Sequence, residues 1–115
     1  MTDELAAEDA KLVTLARGAR GRVSARTGAA VRDETGRTYS AADVALPSLG
    51  ISALELAIAQ AVAAGARGAE AAAVVTDEPE AYVVPRALAE LDPAAEVIVC
   101  GGDGSVSRRL PGSGA

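Results

Sequence analysis

Between residues 37 and 100 the chain alternates strand-like and helix-like runs, and this alternation limits the possible folds more than any other feature. Arg37-Thr38-Tyr39-Ser40-Ala41 reads as a strand. Residues 52–64 place Leu54, Leu56, Ile58 and Val62 at helical spacing, and Gly65 stops the run. Residues 69–76 form an unbroken run of small apolar residues, the pattern of a strand covered on both faces. Residues 77–91 read as a third helix, opened by Asp77-Glu78-Pro79-Glu80 and closed before Pro93, and residues 96–100 as another strand. A strand–helix–strand–helix–strand succession joins its strands by right-handed crossovers, so these strands should run parallel beneath their helices. The architecture this predicts is a small α/β layer sandwich over a mostly buried sheet.

The flanks complete the order. Leu5, Leu12, Leu15, Ala16, Ala19 and Val23 recur every three or four residues and predict a first helix over residues 3–26, weakened near its end by Gly18 and Gly21. Gly28-Ala29-Ala30-Val31-Arg32 and the strand from Arg37 flank Asp33-Glu34-Thr35-Gly36, so they form a hairpin. Pro47 and Gly50 mark a loop. Gly101-Gly102-Asp103-Gly104 turns into a last strand over residues 105–110. The expected domain spans residues 1–110, with 111–115 as a loose tail.

The core must be built from small residues. Half of the chain is apolar, but Phe and Trp are absent, and Val, Leu and Ile make up only about a fifth. Such a core buries modest area per residue, so contacts between subunits should contribute to stability. The net charge of −5 and the two Tyr argue against a nucleic-acid partner, which needs clustered cations and stacking platforms. No apolar run is long enough to span a membrane, and the acidic start lacks the apolar stretch of a signal peptide. Cys100 is the one cysteine, which excludes an intrachain disulfide. These features point to a cytoplasmic protein; the excess of Arg over Lys and the many Ala suit a GC-rich, bacterial genome.

The same inventory restricts chemistry. There is no His, so no Ser-His or Cys-His nucleophile pair is possible. Catalytic zinc is usually held by three protein ligands drawn from Cys, His and carboxylates. Here a site would need Cys100 plus acids alone, a set better suited to magnesium or calcium. Asp77, Glu78 and Glu80 are the acids placed for such a cation site, but acids in the first turn of a helix are ordinary. Arg17, Arg20, Arg22 and Arg26 cluster near the end of the first helix, as an anion patch or as a solvated face that suits the helix dipole. The Gly101-Gly102-Asp103-Gly104-Ser105 motif is glycine-rich like a phosphate loop, but a strand follows it, which favours a hairpin turn.

Longer stretches carry a resemblance. Gly28-Ala29-Ala30-Val31 with Thr35-Gly36-Arg37-Thr38-Tyr39 is similar to the first hairpin of the zinc-dependent cytidine deaminases. Residues 49–62, LGISALELAIAQAV, resemble that family's metal-binding helix, and residues 80–91, EAYVVPRALAEL, resemble its second metal-binding segment. The ending from Val97 to Pro111 is similar to its closing strand pair, so the resemblance covers nearly the whole chain. It implies a three-layer α/β/α sandwich with a mixed five-stranded sheet in the order α-β-β-α-β-α-β-β. It also implies where chemistry would sit. Ser52 falls at the first metal-ligand position and Leu54 at the proton-shuttling Glu. Ala81 and Val84 fall at the two Cys positions, and Asp43 and Ala45 at the ribose-contacting pair.

None of these residue types supports metal-hydroxide attack on a cytosine ring. They have a structural reading instead. Ser52-Ala53-Leu54-Glu55 is a capping box, and Asp77 should cap the third helix. Leu54, Ala81 and Val84 should fill the vacated space with apolar groups. The expectation is a non-catalytic deaminase-like protein without catalytic residues, metal or other cofactor. It should act as a homodimer or homotetramer and through an unidentified protein or small ligand. A metal-free enzyme and a nucleoside-binding module are the alternatives.

Overall fold

The structure is a computed structural model that describes residues 5–114. Its elements are α1 (Ala7–Arg22), β1 (Thr27–Asp33), β2 (Thr38–Ala42), β3 (Val44–Leu46), β4 (Leu49–Ile51), α2 (Ala53–Ala63), β5 (Ala69–Thr76), a 3₁₀ turn (Pro79–Ala81), α3 (Arg86–Leu91), β6 (Glu96–Cys100) and β7 (Val106–Pro111). Five strands form one mixed sheet in the order β2-β1-β5-β6-β7. β5 and β6 are parallel, as the crossover through α3 requires. β1 is antiparallel to both β2 and β5, so β2 also points the same way as β5, with β1 inserted between them.

Side chains alternate across this sheet with the period of two that strands impose. Ala29, Val31, Ala72, Val74, Val97 and Val99 face α2 and α3. Ala30, Ala71, Ala73, Val75, Ile98 and Cys100 face α1. Both faces are covered, giving the three-layer α/β/α arrangement, and this explains the unbroken apolar run of β5. The alanines set the layer spacing. α1 presents Ala16 to alanines of the sheet, and Gly28 has no room for a side chain, because a Cβ there would overlap the Ala16 carbonyl and the Arg20 backbone. The helix therefore lies close to β1, which compensates for the missing bulky residues by tight contact.

Three expectations need correction. The first helix ends at Arg22 rather than 26, with Ser24 at positive φ in the turn that follows; residues 3 and 4 lie outside the described residues. Residues 44–51, expected to be loop, pair as the short hairpin β3–β4 and form a separate two-stranded sheet. The third helix does not run over residues 77–91. A 3₁₀ turn is followed by an extended segment, and only residues 86–91 are α-helical. Pro85 is the cause. It has no N–H to donate, its ring excludes the carbonyl four residues back, and it favours extended backbone at Val84. Asp77 consequently caps nothing: the residue preceding the 3₁₀ turn is Glu78, which makes no side-chain cap bond.

Candidate functional site

At one end of the sheet a cleft of about 420 Å³ opens where β1 begins, β2 and β5 end, and α2 starts. Arg26, Thr27, Asp43, Ser52, Thr76 and Tyr82 are among the residues that line it. The fold brings these together because β2 and β5 both deliver their C-terminal ends there, and α2 enters directly from β4. Ligand clefts of α/β sheets commonly form at such strand ends.

Each sequence-predicted position can now be placed. Ser52 is the N-cap of α2: its Oγ accepts from the Glu55 N–H at 3.2 Å, and Glu55 Oε1 accepts from the Ser52 N–H at 3.2 Å and from its hydroxyl at 2.8 Å. The capping box is thus complete. Leu54 is fully buried in the core against the sheet. Val84 joins the same cluster, while Ala81 stays exposed in the cleft wall. Asp43 lines the cleft, with Oδ1 accepting from the Thr27 N–H at 2.9 Å. Ala45 lies outside the lining, exposed on β3 opposite Gly50. Ser52, Ala81 and Asp43 therefore share the cleft, Leu54 and Val84 lie in the core, and Ala45 belongs to neither.

The cleft's polar groups are largely paired with one another. Thr27 Oγ1 and Thr76 Oγ1 lie 3.0 Å apart. Arg26 Nε donates to Asp77 Oδ2 at 3.3 Å, and Arg26 Nη2 lies 3.9 Å from Glu78 Oε2. Glu80 accepts from the Ser107 hydroxyl at 2.7 Å. The three acids at 77, 78 and 80 are engaged with Arg26 and Ser107, and no group of three or more metal-ligating side chains converges among the described residues. The Ser52 hydroxyl is engaged with Glu55 in the capping box, and a carboxylate is far too weak a base to activate a serine hydroxyl unaided.

Two residues that the sequence did not single out shape the site. Tyr82 packs its ring against the core under α2. Its hydroxyl is buried and has no hydrogen-bond partner among the described residues. Burial, with the Glu55 carboxylate nearby, pushes that hydroxyl's pKa upward, so it is protonated at all ordinary pH. Arg108, on β7, donates from Nη1 to the carbonyls of Pro79 at 3.0 Å and Tyr82 at 2.9 Å, with Glu80 O at 3.4 Å. One guanidinium thus holds the non-helical segment that forms the cleft wall. Pro85 was the available signal: it forbids the helix, and the freed carbonyls need a donor.

A family model for cytidine deaminase-like proteins matches residues 5–104. No curated protein matches the sequence. Among solved structures, cytidine deaminase from Burkholderia pseudomallei is similar: 26% identity, a TM-score of 0.75, and coverage of 89% of this chain and 91% of that one. The shared sheet, the cleft at the start of α2 and a match over residues 5–104 place this chain in the cytidine deaminase-like family.

Proposed function

We propose that this chain is a non-catalytic member of its family, a binding protein that keeps the deaminase cleft but has lost the zinc ligands and the catalytic acid. The observation that carries this reading is what occupies positions 52, 54, 81 and 84. Ser52 spends its hydroxyl on the helix cap, Ala81 has no donor atom, and Leu54 and Val84 are core residues. This donor set does not fit zinc, which needs thiolate, imidazole or carboxylate ligands. The cleft itself remains open and is lined by Thr27, Asp43 and Thr76, which favours a small polar ligand as its occupant. Leu46 and Leu49, both more than half exposed on the projecting β3–β4 hairpin, support self-association as the second part of the function.

The test is direct. Protein made in zinc-supplemented medium and dialysed at neutral pH should hold far less than about one zinc per chain. It should turn over neither cytidine nor deoxycytidine when followed by the ultraviolet absorbance of the base. Stoichiometric retained zinc, or zinc-dependent turnover, refutes the reading. A thermal-shift screen of nucleosides separates a nucleoside-binding role from a purely protein-directed one.

A further inference from the structure

The fold brings together the two sequence features the cleft does not use, the arginines of α1 and the glycine-rich turn after β6. Gly104 sits against Val13 and Arg17, and Gly102 lies beneath Arg20. Arg20 is half-buried as a residue, and its Nε donates to the Arg26 carbonyl at 3.1 Å. A Cβ at Gly102 would stand 3.0 Å from Nη1, 3.4 Å from Nη2 and 3.5 Å from Cζ. The guanidinium therefore lies over the glycine in a space that a side chain would fill. No hydrogen bond joins either Nη to a described residue.

Arg17, exposed and three residues earlier on α1, packs on the other glycine of the same turn, with Cδ 3.6 Å and Nη1 3.9 Å from the Cβ position of Gly104. No carboxylate comes within 4.0 Å of Arg17 or Arg20 among the described residues. The nearby acid is Asp103, whose Oδ1 is turned into its own loop and accepts from the Ser105 N–H at 2.9 Å and hydroxyl at 2.6 Å. Those bonds, with a smaller contribution from Arg17, hold the Asp103 carboxyl below its ordinary pKa. The chain as a whole carries a charge of −5, so two guanidinium groups with no carboxylate within 4.0 Å among the described residues are a local feature, not a reflection of bulk charge.

We propose that Arg20 and Arg17, laid over Gly102 and Gly104, form a receptor for a phosphate dianion, free or as the monoester group of a small molecule. A planar guanidinium offers paired N–H donors that match two oxygens of such a group. Two guanidinium groups match a dianion, where a single carboxylate would need one. The glycines supply the close approach, and the bond to Arg26 pre-orients the fork. This site does not rest on the reading of the cleft, although Arg26 belongs to both.

Titration of the full chain with inorganic phosphate and with glycerol phosphate, at constant ionic strength and followed by calorimetry or NMR, tests the proposal. Saturable binding is expected, weakened by about tenfold or more in Arg20→Gln. Gly102→Ala should weaken it as well, because the new methyl displaces the guanidinium. Asp103→Asn should tighten it, since the turn keeps its acceptor and loses the opposing charge. Arg22→Gln removes the same charge from an exposed position on the same helix, and should stay within about twofold of the parent. Circular dichroism checks folding, and Arg20→Lys, which keeps the charge and loses the fork, stands in if Arg20→Gln does not fold. Tighter binding of the ester than of free phosphate identifies a phosphorylated small molecule; equal binding identifies the phosphate group alone. The proposal fails if phosphate does not saturate, if Arg20→Gln and Arg22→Gln lose affinity equally, or if succinate binds as tightly as phosphate.

Discussion

Asp33, at the end of the sheet opposite the cleft, keeps its charge although only 2% of its surface is exposed. Burial alone would raise its pKa, but four donors outweigh that: the hydroxyl and N–H of Thr35, the hydroxyl of Tyr39 and the N–H of Arg37. Their distances are 2.7, 2.8, 2.9 and 3.0 Å, and the pKa falls to about 2. The sign follows from linkage. A carboxyl whose folded pKa lies below its unfolded value stabilises the fold above the unfolded pKa, and that contribution is lost as pH falls through the folded one. Denaturant unfolding should therefore show stability dropping between about pH 4 and about pH 2, and Asp33→Asn should flatten that limb. At neutral pH Asp33→Ala should cost about 1–3 kcal/mol by stranding the hairpin's N–H groups, whereas Asn retains an acceptor and should cost less. An Ala variant as stable as the parent would show that the turn holds itself without this carboxylate.

Among the elements, the segment between β5 and α3 differs most from an ordinary crossover. It has no helix to satisfy its carbonyls, and Arg108 takes that role from across the sheet edge. Arg108→Ala should cost about 1–3 kcal/mol in denaturant unfolding and should speed amide exchange at residues 80–83. Arg108→Lys should recover part of this, since all three contacts converge on the single nitrogen Nη1 and an ammonium also presents its donors at one point. Unchanged exchange in both variants would mean that packing of Tyr82, and not Arg108, holds the wall. This segment also marks where the sequence became unreadable. β5 and β6 were legible because a strand buried on both faces reads as an unbroken apolar run. The start of α2 was legible because Ser52 and Glu55 form a local motif three residues apart. Of the positions the resemblance names, Ser52, Asp43 and Ala81 line the cleft, whereas Ala45, Leu54 and Val84 do not. What stayed hidden depends on long-range partners: no local pattern connects Arg108 to Pro79, or Arg20 to Gly102. For the third helix, Asp77-Glu78-Pro79-Glu80 reads as a helix start and Pro93 as its end, and these two local signals span the break at Pro85. The β3–β4 hairpin escaped because Pro47 and Gly50 read equally well as loop punctuation.

At the scale of the molecule, the balance of buried and exposed apolar surface points outward. The core consists of Ala, Val, Leu and Ile with one Cys, and contains no Phe or Trp. Several larger apolar residues stand at the surface instead: Leu46 is 61% exposed, Leu49 52%, Val62 52% and Val83 80%. Leu46 and Leu49 face each other across the β3–β4 hairpin, which pairs with no strand of the main sheet. A two-stranded hairpin is marginal by itself in water and gains stability by covering an apolar face. Val83 belongs to the same end of the molecule, since it lines the cleft between the start of α2 and the end of β5. We propose that a second copy of the chain covers Leu46 and Leu49, since burying them would add to a thin core. Light scattering after size exclusion at micromolar concentration should accordingly give a dimer or tetramer of the 11.4 kDa chain. Leu46→Glu with Leu49→Glu should shift the particle toward monomer and lower its melting temperature, and the parent's melting temperature should rise with protein concentration, as mass action requires. A parent that elutes and scatters as one chain, with a melting temperature independent of concentration, would show that this Ala-rich core is sufficient alone and that the hairpin is exposed for another reason.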